Sequence, residues 1–349
     1  MGLYKHRSLL KLNMKMLLDY EFVRDGRYSN VASGQQYYDG SDMSILQCDT
    51  EASNQFGMQA GQVWQSISRN WVYESGVVLN DTIGIRDNAL PIVCSGVYVD
   101  GIFKATASSH PDHDVSYSHH VDWINGRVIF DSPVSLTSNV QAAFAYKHVR
   151  VTFEDDFNNE LQQGYLESKY LTNPLVSNNL AYPSGMAQPF PAVFVETASR
   201  RWKPYELGNR SLTAHDRVIF HVWTLDGMTR DDVMDIISYQ ERKSIPMIDF
   251  NLAPLPLSGI YNEISPEYIP YQELLKNPVV NVIGSTYGTA HAIGYNMFIE
   301  DTESMNDARY ADFERGRVEC IAIVHQFHPN LPIGINTGSF GFKGGNENF

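Results

Sequence analysis

The segment HHVDWINGRVIFDSPV (119–134) constrains this chain more than any other. Asn125-Gly126 between two apolar runs is a hairpin signature, because both residue types tolerate the positive φ of a two-residue loop. Successive side chains of a strand face opposite sides. A strand over 113–124 therefore puts Val115, Tyr117, His119, Val121 and Trp123 on one face. Ser116, Ser118, His120 and Asp122 fall on the other. A loop at Asn125-Gly126 then sets Trp123 opposite Val128, Val121 opposite Phe130 and Tyr117 opposite Val134. Every pair is apolar and all lie on one face, so a one-residue slip would scatter them.

The same strand opens with HPDHDVSYSHHVD (110–122), which holds four of the eleven histidines and three aspartates. Imidazole beside carboxylate is the material of metal sites, and His110, Asp112 and His113 are the candidate ligands. The register argues against them. His119 and His120 point apart, and His113 lies ~20 Å from His119 at ~3.3 Å per residue, whereas ligands must converge to ~2 Å from one ion. Chelation would need the turn-like SSHPDHD to fold back. A pairing of His120 with Asp131 across the hairpin is the simpler use, so no metal or other cofactor is expected.

Elsewhere the texture divides the chain. Residues 1–71 read as an N-terminal helix (7–22, with Leu9, Leu10, Leu17 and Leu18 near one side) and an extended polar arm. Residues 72–153 read as a β domain of short strands, with a second hairpin at Asp100-Gly101. Residues 154–191, rich in proline and asparagine, read as a linker. Residues 192–330 alternate strands with one helix, TRDDVMDIISYQERK, for which Thr229 is the expected N-cap and Val233, Ile236 and Ile237 the buried stripe. Strands are expected at 192–198, 217–225, 245–250, 279–288, 292–301 and 316–327. Residues 331–349 form a glycine-rich tail. The fold class is α+β, β-rich, with a helix packed on a sheet.

A net charge of −14 opposes a general nucleic-acid grip or an anionic membrane surface. No apolar run reaches the ~18 residues of a membrane span. Cys48, Cys94 and Cys320 are widely spaced and read as buried free thiols. Cys320 and His325 lie five apart on one expected strand, hence on opposite faces. Asp231, Asp232 and Asp235 resemble an acid pair, but a helix start favours carboxylates anyway. GxSxG, a phosphate loop and HExxH are missing from the sequence, and an enzyme is not expected.

Aromatic residues outside the obvious strands point to interaction instead. Tyr28, Tyr37, Tyr38, Trp202, Tyr205, Phe340 and Phe342 are candidate partner-binding residues, with burial in their own domain the competing reading.

The stretch GVYVDGIFKATASSHPDHDVSYSHHVDWINGRVIFDSPVSLTSNVQAAFAYKHVRVTF, followed by RVIFHVWTLDGMTRDDVMDIISYQERKSIPMIDFN, resembles head–tail connector virion proteins of contractile-tailed bacteriophages, of neck or tail-terminator type. The resemblance covers about 90–330 loosely and rests on texture and the NGRVIFDSP segment. It implies a homo-oligomeric ring, a hexamer or dodecamer, joining portal-side connector proteins to tail tube and sheath. Double-stranded DNA would pass an acidic lumen without specific binding, the location would be the virion, and, with an arm embracing neighbouring subunits, deletion of 1–40 would leave the β domain folded but weaken assembly. A β-rich tail fibre or baseplate protein binding a ligand or carbohydrate is the alternative. A metal-dependent hydrolase ranks third.

Overall fold

The computed structural model describes residues 6–32, 34, 42–55, 57–74, 77, 90–153, 191–204, 212–247, 257–258, 263–264, 295–309 and 314–326. Helix α1 (His6–Arg24) leads into β1 (Tyr28–Val31), β2 (Gln47–Cys48), the short helix α2 (Thr50–Gln55) and β3 (Val63–Gln65). Seven more short strands follow: β4 (Gly96–Val99), β5 (Ile102–Ala105), β6 (His119–Asp122), β7 (Arg127–Phe130), β8 (Val140–Ala142), β9 (Phe144–Lys147) and β10 (Arg150–Phe153). The remainder is built from longer pieces: β11 (Ala192–Pro204), β12 (Leu212–Thr224) and helix α3 (Gly227–Ser238). After these come β13 (Ser244–Met247), β14 (Leu257–Ser258), β15 (Glu263–Ile264), β16 (Tyr295–Arg309) and β17 (Glu314–Gln326). The protein is thus β-rich α+β, as expected, with its strands in several sheets.

Two cores organise these elements. One lobe wraps the small sheets β2-β3-β7-β6, β5-β4-β8 and β1-β9 around Val31, Trp71, Val97, Val121, Val128, Phe130 and Phe144. Trp71 stacks on Phe144 with ring centres 4.1 Å apart. The other is a six-stranded plate, β10-β11-β12-β17-β16-β13, with α1 and α3 on one face. Strand alternation decides what the helices cover. Even positions of β12 (Ala214, Val218, Phe220, Val222) and β17 (Val318, Cys320, Ala322, Val324) enter the core beneath them. Gly316 lies on that same face. A Cβ there would strike the Met234 sulfur and the Arg230 side chain, so glycine lets α3 lie close to the sheet.

Four sequence expectations need correction. First, α1 is not part of an arm. Leu10, Met14, Leu17, Leu18, Phe22 and Val23 are buried in the plate's core, an apolar belt wider than the Leu9–Leu18 side suggests. Strands β1, β2 and β3, also placed in the arm, pair into the β lobe. Second, the boundary at 153 cuts the plate. β10 runs parallel to β11, from Arg150↔Ala192 to Phe153↔Val195, so the sheet begins before the linker. Apart from Pro191, the linker 154–191 lies outside the described residues, as do the tail 331–349 and the strand expected at 279–288.

Third, the hairpin register moves by two residues. Val121 pairs with Val128 and His119 with Phe130, and Trp123–Gly126 form a four-residue turn. An even shift keeps every side chain on its expected face. The wider turn is held by Asp122, whose carboxylate accepts from the Asn125 amide at 3.2 Å and its Nδ2 at 2.8 Å. The carbonyls of Trp123, Ile124 and Gly126 accept from the amides of Trp71, Asn70 and Ser66 at 2.7, 2.9 and 2.9 Å. The strand also starts late, at His119. Residues 115–117 form a 3-10 turn capped by Asp114, which accepts from the Ser116 amide. Fourth, the cap of α3 is Asp226, not Thr229. Asp226 accepts from both the Thr229 amide and hydroxyl at 2.8 Å. The buried stripe is Val233, Met234 and Ile237, with Ile236 partly buried.

Candidate functional site

The histidine loop resolves into separate uses. His119 is buried, its Nδ1 2.9 Å from the Tyr117 carbonyl and its Nε2 2.8 Å from the Thr106 hydroxyl. A carbonyl only accepts, so Nδ1 carries the hydrogen and Nε2 receives the Thr106 hydroxyl. Burial holds the His119 imidazole below its ordinary pKa, and neighbouring His120 and His113 push the same way. His120 points outward to Asp131 at 2.9 Å, the cross-hairpin pair expected. His113 Nδ1 meets the Ala105 carbonyl at 3.1 Å, and His110 Nδ1 accepts the Asp112 amide at 3.2 Å. His110 and Asp112 thus engage each other locally, their side chains 3.7 Å apart, while His113 turns to the backbone of Ala105. Among the described residues no group of three His, Cys, Asp or Glu could hold a metal ion.

Nucleophile chemistry is disfavoured at the cysteines. Burial pushes the Cys94 and Cys320 thiols up to about 12, far from the thiolate that attack requires. All three cysteines are free. The plate's outer face, away from the helices, carries a polar ladder instead. Glu196 on β11 lies 2.7 Å from His221 Nε2 on β12, and His221 Nδ1 lies 3.0 Å from an Arg315 guanidinium nitrogen on β17. Both ring nitrogens are occupied, which leaves the imidazole no site to take a proton from a nucleophile. Beside them Glu319 sits between Arg217, whose Nε is 2.6 Å away, and Arg317 at 2.8 Å. Apart from Arg317 and Glu319, two residues apart on β17, these partners lie between 25 and 102 residues apart, so no local pattern pairs them. Their alternation with apolar residues in RVIFHVW and GRVECIAIV was the available signal.

Between the C-terminal ends of α1 and α3 a cleft of about 430 Å³ is lined by Glu21, Arg24, Asp25, Asp235, Tyr239 and Lys243. Within it Glu21 pairs with Arg24 at 3.2 Å and Lys243 at 3.3 Å, while Asp25 turns to Arg27 at 3.2 Å. The outward side of α3 exposes Met228, Asp231, Asp232, Asp235 and Tyr239.

Of the partner-binding candidates, Tyr28 is half-buried against the plate core. Trp202 stands near the end of β11, 39% exposed, with the Arg200 guanidinium 5.3 Å from its ring centre. Tyr37, Tyr38, Tyr205, Phe340 and Phe342 lie outside the described residues. No helix among the described residues is long and apolar enough to cross a membrane. Compared with known proteins, the chain matches no family model, no curated protein and no solved structure.

Proposed function

We propose that this protein is a structural connector of a phage head–tail junction, assembling as a ring between portal-side proteins and the tail tube and sheath. The observation that carries the reading is the plate. Four strands of 13 to 15 residues form one antiparallel unit stiffened on one face by two helices. A sheet so backed is the arrangement that the sequence resemblance implies for neck and tail-terminator proteins. Such a role needs rigidity and subunit contacts, not turnover. It also fits the net charge of −14, because an acidic channel wall lets phosphates pass without sticking.

The test is electron microscopy of the purified full-length protein together with its mass in solution. Closed sixfold or twelvefold rings with an axial channel are the expected result. A trimer that retains glycans on an array would instead support a fibre or baseplate role and sink the connector reading.

A further inference from the structure

Among the described residues two stretches of the plate are left open. β10 covers β11 only from Ala192 to Val195, so Glu196–Pro204 has no outer strand among the described residues. On the far side β13 covers β16 only from Tyr295 to Phe298, with a last backbone contact at Ile299, so Glu300–Arg309 is open in the same way. An open strand edge is a template for another strand.

The two edges match in length and oppose in charge. Two bulges shorten Glu300–Arg309 to seven ladder positions, against eight for Glu196–Pro204 with its single bulge. Arg201 and Lys203 are exposed, two positions apart, and face away from the helices, opposite His215 and Thr213. Glu303 is exposed and Glu300 half-exposed on that same face. The first β16 bulge leaves them opposite Glu319 and Ile321, which also makes them two positions apart. Bulges and charges ordinarily keep edges from pairing with their own kind. Here they repel β11 from β11 and β16 from β16 while leaving β11 to β16 favourable, since opposite charges on facing strands attract.

We infer that copies of this chain join head to tail by continuing the plate's sheet, the Glu196–Pro204 edge of one copy antiparallel to the Glu300–Arg309 edge of the next. Arg201 then faces Glu303 and Lys203 faces Glu300. Within one chain Glu196, not Arg201, is level with Glu303. Neighbouring plates are therefore displaced by four ladder positions, roughly 13 Å at ~3.3 Å each. That displacement moves β13 past the end of β11 and leaves β10 meeting β16 only at its last position, Arg309 opposite Val195, and Pro204, which has no amide to donate, falls where β13 takes over. A staggered sheet closes with its strands tilted to the axis, and a head-to-tail contact closes only by rotation. The inference deepens the ring reading and rests on it for closure alone.

The test uses the full chain, read by light scattering and by acrylamide quenching of tryptophan. Trp64, Trp71, Trp123 and Trp223 are buried and Trp202 is not, so Trp202 on the pairing strand supplies the quenchable signal. Wild type should associate as its concentration rises, with quenching lost in step, and added salt should oppose it. R201E/K203E alone and E300K/E303K alone should stay monomeric with unchanged thermal unfolding. Mixed in equal amounts they should associate again, because each supplies the charge the other lacks. Association of both variants like wild type would remove the pairing and leave the ring reading standing. Open filaments sensitive to both reversals would keep the pairing and remove the closed ring. A wild type monomeric at its highest soluble concentration overturns the inference.

Discussion

Lys147 Nζ lies 2.5 Å from Glu74 Oε1, and neither side chain is more than 5% exposed. Asp19 of α1 approaches the same ammonium at 3.7 Å and also holds Lys15 at 2.8 Å, while the Tyr73 ring lies 4.2 Å from Lys147 Nζ. The cluster ties the helix of the plate to strand β9 of the β lobe. Burial raises the Glu74 carboxyl above its ordinary range, with Lys147 pulling it down and Asp19 adding to the rise. Lys147→Met strands the Glu74 carboxylate in the interior, Asp19 keeping Lys15, and should cost ~3–5 kcal/mol in urea unfolding at neutral pH. The loss should shrink as pH falls and Glu74 takes up a proton. The double variant K147M/E74L should regain most of it. A cost under ~1 kcal/mol for K147M would mean water reaches the site.

His119 makes acid a local stress. Its folded pKa is depressed by burial, so the unfolded chain binds the proton first, near pH 6.5. The stabilising contribution is complete above that pH and is lost as pH falls from 6.5 toward the folded pKa. His119→Asn should lower stability at pH 7.5 by ~1–3 kcal/mol through the lost Thr106 bond. The stabilities of wild type and variant should draw together as pH falls below 6.5. Parallel curves across that window would show that His119 does not titrate with folding.

At α3 the cap can be told from its neighbour by substitution. Asp226→Ala removes the acceptor that holds both the Thr229 amide and hydroxyl, and should cost ~0.5–2 kcal/mol. Thr229→Ala keeps the amide bond and should cost less than half as much. Equal costs in thermal unfolding would restore Thr229 as the capping group. Hydrogen bonding also holds the Asp226 carboxyl below its ordinary range, the Thr229 amide first among its causes. The difference between the variants should fade as Asp226 is protonated at low pH.

What the sequence disclosed was alternation, and what it hid was distance. Val121, Val128 and Phe130 fall on the expected face because parity survives a two-residue shift. The shift itself depends on amides at Ser66, Asn70 and Trp71, more than fifty residues away, which no local pattern announces. Trp202 drew notice as an aromatic outside the core, yet the charges beside it gain meaning only from the bulge that respaces Glu300 and Glu303. Asp226 was overlooked for a simpler reason. A threonine inside a DGMT sequence competes as a cap, and only backbone geometry separates the two.

Helix α1 carries the largest departure from expectation, and its consequence is the most direct to measure. Asn13, Asp19 and Glu21 of this helix are polar, yet each is buried. Asn13 donates to the Leu9 carbonyl at 2.8 Å, Asp19 meets two lysines, and Glu21 meets Arg24 and Lys243. With these groups satisfied, Met14, Leu17 and Leu18 pack against Phe220, Ile237, Ile299 and Cys320 beneath the two helices. Leu17→Ala should therefore cost ~2–5 kcal/mol, the range for emptying a packed aliphatic site. Removing residues 1–26 should expose the helix-facing side of the plate, giving dye binding and lost near-ultraviolet dichroism rather than a folded protein that merely assembles poorly. A truncated chain with native dichroism and an unchanged unfolding midpoint would return α1 to the role of an arm.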